Sequence, residues 1–246
     1  MILYVTSFNE HLYNATGKNL LESFILHEPE GDLLIAYEGN IDLPEHDRFI
    51  LHNLDQDSYL QDWLENNKGI IPIRLGGTFE GTFENGFHER TSEWFRKIAS
   101  LHHAVTLGYE KLVFLDSDVV FNKKLTANKI GEVLDGHAVF YHFGPHRRWH
   151  KTGIESGIVG YDLTVGGDEV LKCIFEKYAD GSFQNYRRWD DAWMLTVAIL
   201  ENPHIKTKDI VSHSNNSDHV VQDGDLSGYL QHFKGVHWRK HGVKYL

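Results

Sequence analysis

Lys111-Leu112-Val113-Phe114-Leu115-Asp116-Ser117-Asp118 is the stretch on which the reading of this chain turns. A short apolar run, the length of a buried strand, leads directly into two carboxylates. In extended backbone, residues i and i+2 point the same way, so Asp116 and Asp118 are expected to face one point. Ligands of open α/β sheets collect outside the carboxyl ends of the strands, where this pair would stand. Two close carboxylates repel unless a cation or a proton lies between them. Hard oxygen ligands suit Mn²⁺ or Mg²⁺, and both metals also take diphosphate oxygens. Alone, Asp-x-Asp is more often a pair of solvated turn aspartates. The apolar strand before it and Val119-Val120-Phe121 after it speak against a solvent turn.

Outward from this point, strand and helix patterns alternate. Residues 2–6, 32–37, 48–51, 138–143 and 154–161 read as strands. Helical spacing marks a helix ending near His27, a short one over 58–65, and others over 168–178 and 191–200. The clearest helix is 91–107, with Trp94, Ile98, Leu101 and Val105 on one face, Ser92 as cap and Gly108 as stop. Residues 75–87, with Gly76, Gly77, Gly81 and Gly86, read as a loop, and 212–229 as polar, turn-rich chain. Such alternation predicts an α/β fold with a mostly parallel central sheet flanked by helices. No internal repeat or low-complexity linker interrupts it, so one domain over residues 1–246 is expected.

Bulk composition narrows the function classes. A formal net charge of −11 leaves no basic excess to neutralise phosphates, which argues against a nucleic-acid partner. Local basic clusters at Arg147-Arg148, Arg187-Arg188 and Arg239-Lys240 suit a small anionic ligand better than a polymer. Cys173 is the only cysteine, so no intramolecular disulfide can form, and a reducing, cytoplasmic setting is expected. Neither a signal peptide nor a membrane span is read. Aromatic residues make up 13% of the chain, a share that suits stacking on bases and sugar rings.

Trp94-Phe95-Arg96-Lys97-Ile98, followed by Leu107-Gly108-Tyr109-Glu110 and the strand quoted above, resembles the central signature of GT-A-fold (Rossmann-like) glycosyltransferases. The resemblance implies that Asp116 and Asp118 hold a divalent metal bridging the two phosphates of a nucleotide sugar, a UDP-sugar. It places Arg96, Lys97 and Ser117 near the nucleotide or donor sugar. Thr6, Ser7, Phe8 and Asn9, following the first strand, fall where such enzymes place base and ribose, and Tyr37 and Glu38 end the second strand nearby. Residues 1–120 would then be mainly the donor part, and 121–246 mainly the acceptor part with a metal-binding tail.

The tail Leu230-Gln231-His232-Phe233-Lys234-Gly235-Val236-His237-Trp238 is similar to the His-(aromatic)-x-Gly signature of retaining GT-A enzymes of the glycogenin and bacterial galactosyltransferase type. Carried over, His232 becomes the third metal ligand, while Lys234 and Gly235 meet the diphosphate. The family's Lys-Pro-Trp is replaced here by His237-Trp238-Arg239-Lys240, so the phosphate cation stays open among Lys234, Arg239 and Lys240.

Gly153-Ile154-Glu155-Ser156-Gly157 resembles the strand beneath the donor sugar, with Glu155 where the family has asparagine, and Ser156 and Gly157 allowing close approach. Trp189-Asp190-Asp191-Ala192 opens an apolar helix, where Asp190 is a natural N-cap and Asp191 suits the helix dipole. The same pair resembles the catalytic Asp-Gln or Asp-Glu of retaining enzymes. It implies that Asp190 contacts sugar hydroxyls and Asp191 faces the anomeric carbon; in an inverting enzyme that carboxylate would be general base. Small bacterial enzymes that build surface glycans, and GT-A domains of large algal viruses that glycosylate capsid protein, are similar in size. They imply a glycan or glycoprotein acceptor and hexosyl transfer. Two other readings stay in view: a metal-dependent nucleotidyltransferase or phosphohydrolase, and a carbohydrate-binding protein without catalysis.

Overall fold

The computed structural model describes residues 1–70, 88, 90–144, 147, 149, 151–211 and 224–233. The glycine-rich loop read at 75–87 lies outside these residues, as do Lys234, Gly235, His237, Trp238, Arg239 and Lys240 of the tail.

Among the described residues the centre is a seven-stranded sheet. Its strands are β1 (Ile2–Asn9), β2 (Asp32–Glu38), β3 (Phe49–Asn53), β4 (Lys111–Leu115), β6 (Val139–His142), β7 (Glu155–Asp162) and β8 (Thr207–Asp209). They lie in the order β3-β2-β1-β4-β7-β6-β8. β1 runs parallel to both β2 and β4, and β2 to β3. β7 pairs antiparallel with β4 and with β6, while β8 is parallel to β6. β7 alone therefore runs against the rest, and the sheet is mostly parallel, as the alternation predicts.

Both faces of the sheet are covered, which is why the central strands are apolar runs rather than alternating ones. Leu3 and Val5 of β1 face one core, with α3 (Ser58–Asn66), α4 (Thr91–Thr106), α6 (Gly167–Ala179) and α7 (Asp191–Glu201) packed over it. Ile2 and Tyr4 face the other, beneath α2 (Lys18–His27) and α5 (Ala127–Leu134). A short turn α1 (Glu10–Leu12) links β1 to this layer.

Two local expectations change. Helix α4 starts at Thr91, and Ser92 lies buried in its first turn rather than capping it; the cap position, Arg90, makes no side-chain cap bond. Its buried stripe is Phe95, Ile98, Ala99, Leu101 and Ala104, with Trp94 and Val105 only half-buried at the margin. Gly108, just past the helix, has φ 77°, the left-handed conformation that lets glycine end a helix. β1 also runs longer than residues 2–6. Parallel pairing with β2 continues through Ser7↔Ala36, Phe8↔Tyr37 and Asn9↔Glu38, so Thr6 to Asn9 belong to the strand itself.

Candidate active site

β4 delivers Asp116 to the end of the sheet, where its N–H donates to the Gly157 carbonyl of β7 at 2.8 Å. The chain then turns, with the Val119 N–H donating to the Asp116 carbonyl at 3.0 Å. Asp116 and Asp118 are thus brought together by a tight turn, not by the strand alternation the sequence suggests.

After the turn, β5 (Val119–Phe121) pairs antiparallel with β9 (Leu230–His232), and Val119 lies opposite His232. A further bond, from the Phe233 N–H to the Asp118 carbonyl at 2.8 Å, extends this ribbon. Main-chain pairing therefore carries His232 to the carboxylates. Its Nε2 stands 3.0 Å from Asp118 Oδ1 and 3.9 Å from Asp116 Oδ2. One ligand atom from each of the three residues lies within 4.8 Å of the others. Asp118 and His232 are buried, and Asp116 is half-buried, keeping part of its side chain accessible to solvent.

Gly157 makes the packing possible. A Cβ there would meet His232 Cε1 at 2.4 Å and Asp116 Oδ2 at 3.1 Å. The space expected for a sugar against the backbone is here taken by the imidazole.

Lys97 of α4 ties this cluster to α7. Its Nζ lies 2.9 Å from Asp116 Oδ1 and 2.8 Å from Asp191 Oδ2, and it donates to the Ser156 carbonyl at 2.7 Å. Burial alone would push the lysine's pKa down, but Asp116 and Asp191 outweigh it and hold the ammonium charged. Burial raises the Asp116 carboxyl, Lys97 pulls it back, and Asp118 raises it again.

Asp116 and Asp191 share Lys97 while Asp118 lies against His232, so the carboxylates of this largely buried site outnumber its lysine. A donor set of two carboxylates and an imidazole fits Mn²⁺ or Mg²⁺, and a divalent cation would supply the missing positive charge.

No protein-family profile and no curated protein sequence matches the chain. Among solved structures, the apo form of mouse xyloside xylosyltransferase 1 is similar over 85% of this chain and 85% of its own, with 13% identity and a TM-score of 0.49. The glycosyltransferase GlyE of Streptococcus pneumoniae TIGR4 is similar over 84% of this chain, which spans 44% of that protein, with 13% identity and a TM-score of 0.42. At this identity and overlap neither likeness decides the chemistry, which has to be read from the side chains.

Around the cluster, the other expected residues divide. Ser156 contributes its carbonyl to Lys97, with its hydroxyl 3.3 Å from the same Nζ. Asp191 stands in the first turn of α7, buried, and paired to Lys97. Asp190 turns the other way. Both its oxygens take Arg188, Nε to Oδ2 and Nη2 to Oδ1, each at 2.8 Å, and Oδ1 also accepts the Trp193 N–H. Its capping role is present, and among the described residues no hydrogen bond or ion pair joins it to Asp116, Asp118 or Lys97. Arg188 was legible only as half of a basic pair; the Arg-x-Asp spacing is the signal that places it.

Arg96 points to the end of β2, pairing with Glu38 and with the Ser92 carbonyl, away from Lys97's partners. Ser117 is buried with its Oγ 3.2 Å from Thr16 Oγ1. Thr6 is fully buried within β1, and Phe8 packs on Tyr13. Asn9 caps α1 by accepting the Leu12 N–H at 2.9 Å, and Tyr37 is half-buried against the α2 core. Ser7 is half-buried near the same strand end.

Proposed function

We propose that the protein is a metal-dependent glycosyltransferase of the GT-A kind. It transfers a hexose from a nucleoside-diphosphate sugar, a UDP-sugar, to a hydroxyl of a glycan or glycoprotein, with retention at the anomeric carbon. The observation that supports this reading is the junction of Asp116, Asp118 and His232 with Asp191 through Lys97.

In this reading Asp116, Asp118 and His232 hold Mn²⁺ or Mg²⁺, which when bound supplies positive charge to the diphosphate oxygens. The C1–O bond to the diphosphate breaks, and the acceptor oxygen forms the new bond to C1. The acceptor proton leaves with the departing phosphate oxygen. Lys97, held charged and buried, adds fixed positive potential beside the leaving group. Asp191 presents a carboxylate to the positive charge that develops on the sugar, as carboxylates do in glycoside hydrolysis. Its place in the first turn of α7, with Lys97 on Oδ2, fixes its orientation before the substrate arrives.

Calorimetric titration with UDP, with and without Mn²⁺, tests the reading. UDP binding that requires Mn²⁺, and that is weakened in Asp118→Asn because the ion is held less tightly, is the expected result. Absent UDP binding would overturn it. Turnover of a nucleoside triphosphate without a sugar donor would instead favour the phosphohydrolase or nucleotidyltransferase alternative.

A further inference from the structure

Behind the Lys97–Asp191 pair, on the core side, lies a small cavity that the reaction described above does not use. Most of its lining is apolar, from Ile98, Leu101, Phe114, Val159, Ile174 and Leu195, and Lys97, Asp191, Ser156 and Tyr161 are its polar members. It has room for about one water molecule.

Tyr161, on β7, is 3% exposed. Buried tyrosine hydroxyls almost always find a partner, because an unmade hydrogen bond is costly in an apolar interior. Tyr161 lines the cavity, and its hydroxyl makes no hydrogen bond with any described residue. Asp191, in the same lining, has its Oδ2 paired with Lys97 at 2.8 Å and accepting no hydrogen bond from the described residues. Lys97 donates to Asp116 and to the Ser156 carbonyl and hydroxyl, and pairs electrostatically with Asp191, so it has no N–H left for the phenol. Burial lifts the phenol's pKa well above the ordinary tyrosine value; Lys97 opposes this and Asp191 adds to it. The hydroxyl therefore stays protonated and able to donate.

We propose that the cavity holds one ordered water that accepts from the Tyr161 hydroxyl and donates to the Asp191 carboxylate, making Tyr161 a positioning residue for Asp191. A water needs two to four polar partners to be held in an interior; here they would be the Tyr161 hydroxyl, the Asp191 carboxylate and Ser156. Tyr161 touches no substrate. It acts by giving Asp191 a second anchor on the core side, opposite the chemistry. This catalytic consequence rests on the glycosyltransferase reading, whereas the water itself does not.

The test pairs a structure with kinetics on the full chain. A high-resolution crystal structure should show density within hydrogen-bond distance of both Tyr161 Oη and Asp191. In Tyr161→Phe, which keeps the ring, that water should be lost and the Asp191 carboxylate displaced. Hydrolysis of UDP-glucose or UDP-galactose with Mn²⁺, whichever the wild type turns over, should show kcat about 10- to 100-fold lower in the variant, with KM unchanged. Melting temperature should stay near wild type. A dry cavity, a Phe variant with Asp191 unmoved, or an unchanged kcat overturns the proposal. If wild type turns over neither sugar nucleotide, the two structures decide the positioning claim alone.

Discussion

His232 Nε2 stands 3.0 Å from Asp118 Oδ1 because the backbone of β9 is hydrogen-bonded to the strand that follows Asp118. The contact is therefore a consequence of strand register, with Val119 opposite His232, and not of side-chain reach. A one-residue slip of β9 would turn the imidazole to the other face of the ribbon.

Removing either partner should disable metal binding. Asp118→Asn and His232→Ala are each expected to weaken Mn²⁺ affinity by at least ~10-fold, given that even outer-sphere supports of metal ligands cost that much. The double variant should lose little more than the worse single, because the two act on one ion. Calorimetric Mn²⁺ titration in the presence of UDP reads all three, and independent, additive losses would contradict a shared site.

Gly157→Ala is expected to break the site by crowding rather than by chemistry. The new Cβ would stand 2.4 Å from the His232 ring, which is buried and held by its strand. Overpacking should destabilise the fold by about 1–3 kcal/mol. Metal-dependent UDP binding should fall with it, and a variant with wild-type melting temperature and metal affinity would show that the ring yields.

The two adjacent aspartates of α7 should separate in function. Asp191→Asn is expected to lower kcat by about 10²–10³-fold, and to lower the melting temperature less than Asp190→Asn because Lys97 keeps Asp116 as a carboxylate partner. Asp190→Asn leaves the buried Arg188 without its carboxylate, a loss of about 3 kcal/mol or more. Its kcat, per folded molecule, should stay within about tenfold of wild type. Comparing thermal melts with donor hydrolysis for the pair distinguishes a reacting carboxylate from a structural one.

Asp57 supplies a pH-dependent share of stability far from the site. Its carboxylate caps α3 by accepting the Leu60 N–H at 2.7 Å, and it meets His52 Nε2 at 2.7 Å. Burial pushes its pKa up, but the bonds from His52 and Leu60 outweigh that and hold it below the ordinary 3.8. A depressed carboxylate stabilises the fold above its unfolded pKa and loses that contribution as pH falls through the folded value. Asp57→Ala should therefore cost about 1–2 kcal/mol near neutral pH. The gap to wild type should close once pH drops well below 3.8, as read by urea denaturation across pH; a constant gap would mean that the charge contributes nothing.

Much of this was legible in the chain. Apolar runs such as residues 111–115 read as strands because both sheet faces are covered, and the stop at Gly108 follows from the glycine's own conformational freedom. The cap at Asp190 is likewise a short-range bond between residues three apart. Where local signals competed, they misled. Ser92 looks like a cap but is buried in the first turn of α4, and Thr6 to Asn9 look like a loop but are held in β1 by pairing with β2.

The candidate site shows the same division. The residue types, two carboxylates after a strand and a histidine near the tail, were fixed by sequence, since side-chain chemistry travels with the residue. The reversal of β7, the β5–β9 pairing that sets His232, the room at Gly157 and the bridging of Asp116 to Asp191 by Lys97 belong to tertiary structure alone. Periodicity reports which face of its own element a residue occupies. It carries no information about which distant strand or helix will be packed against that face, and that choice is made by the burial and hydrogen bonding of the chain as a whole.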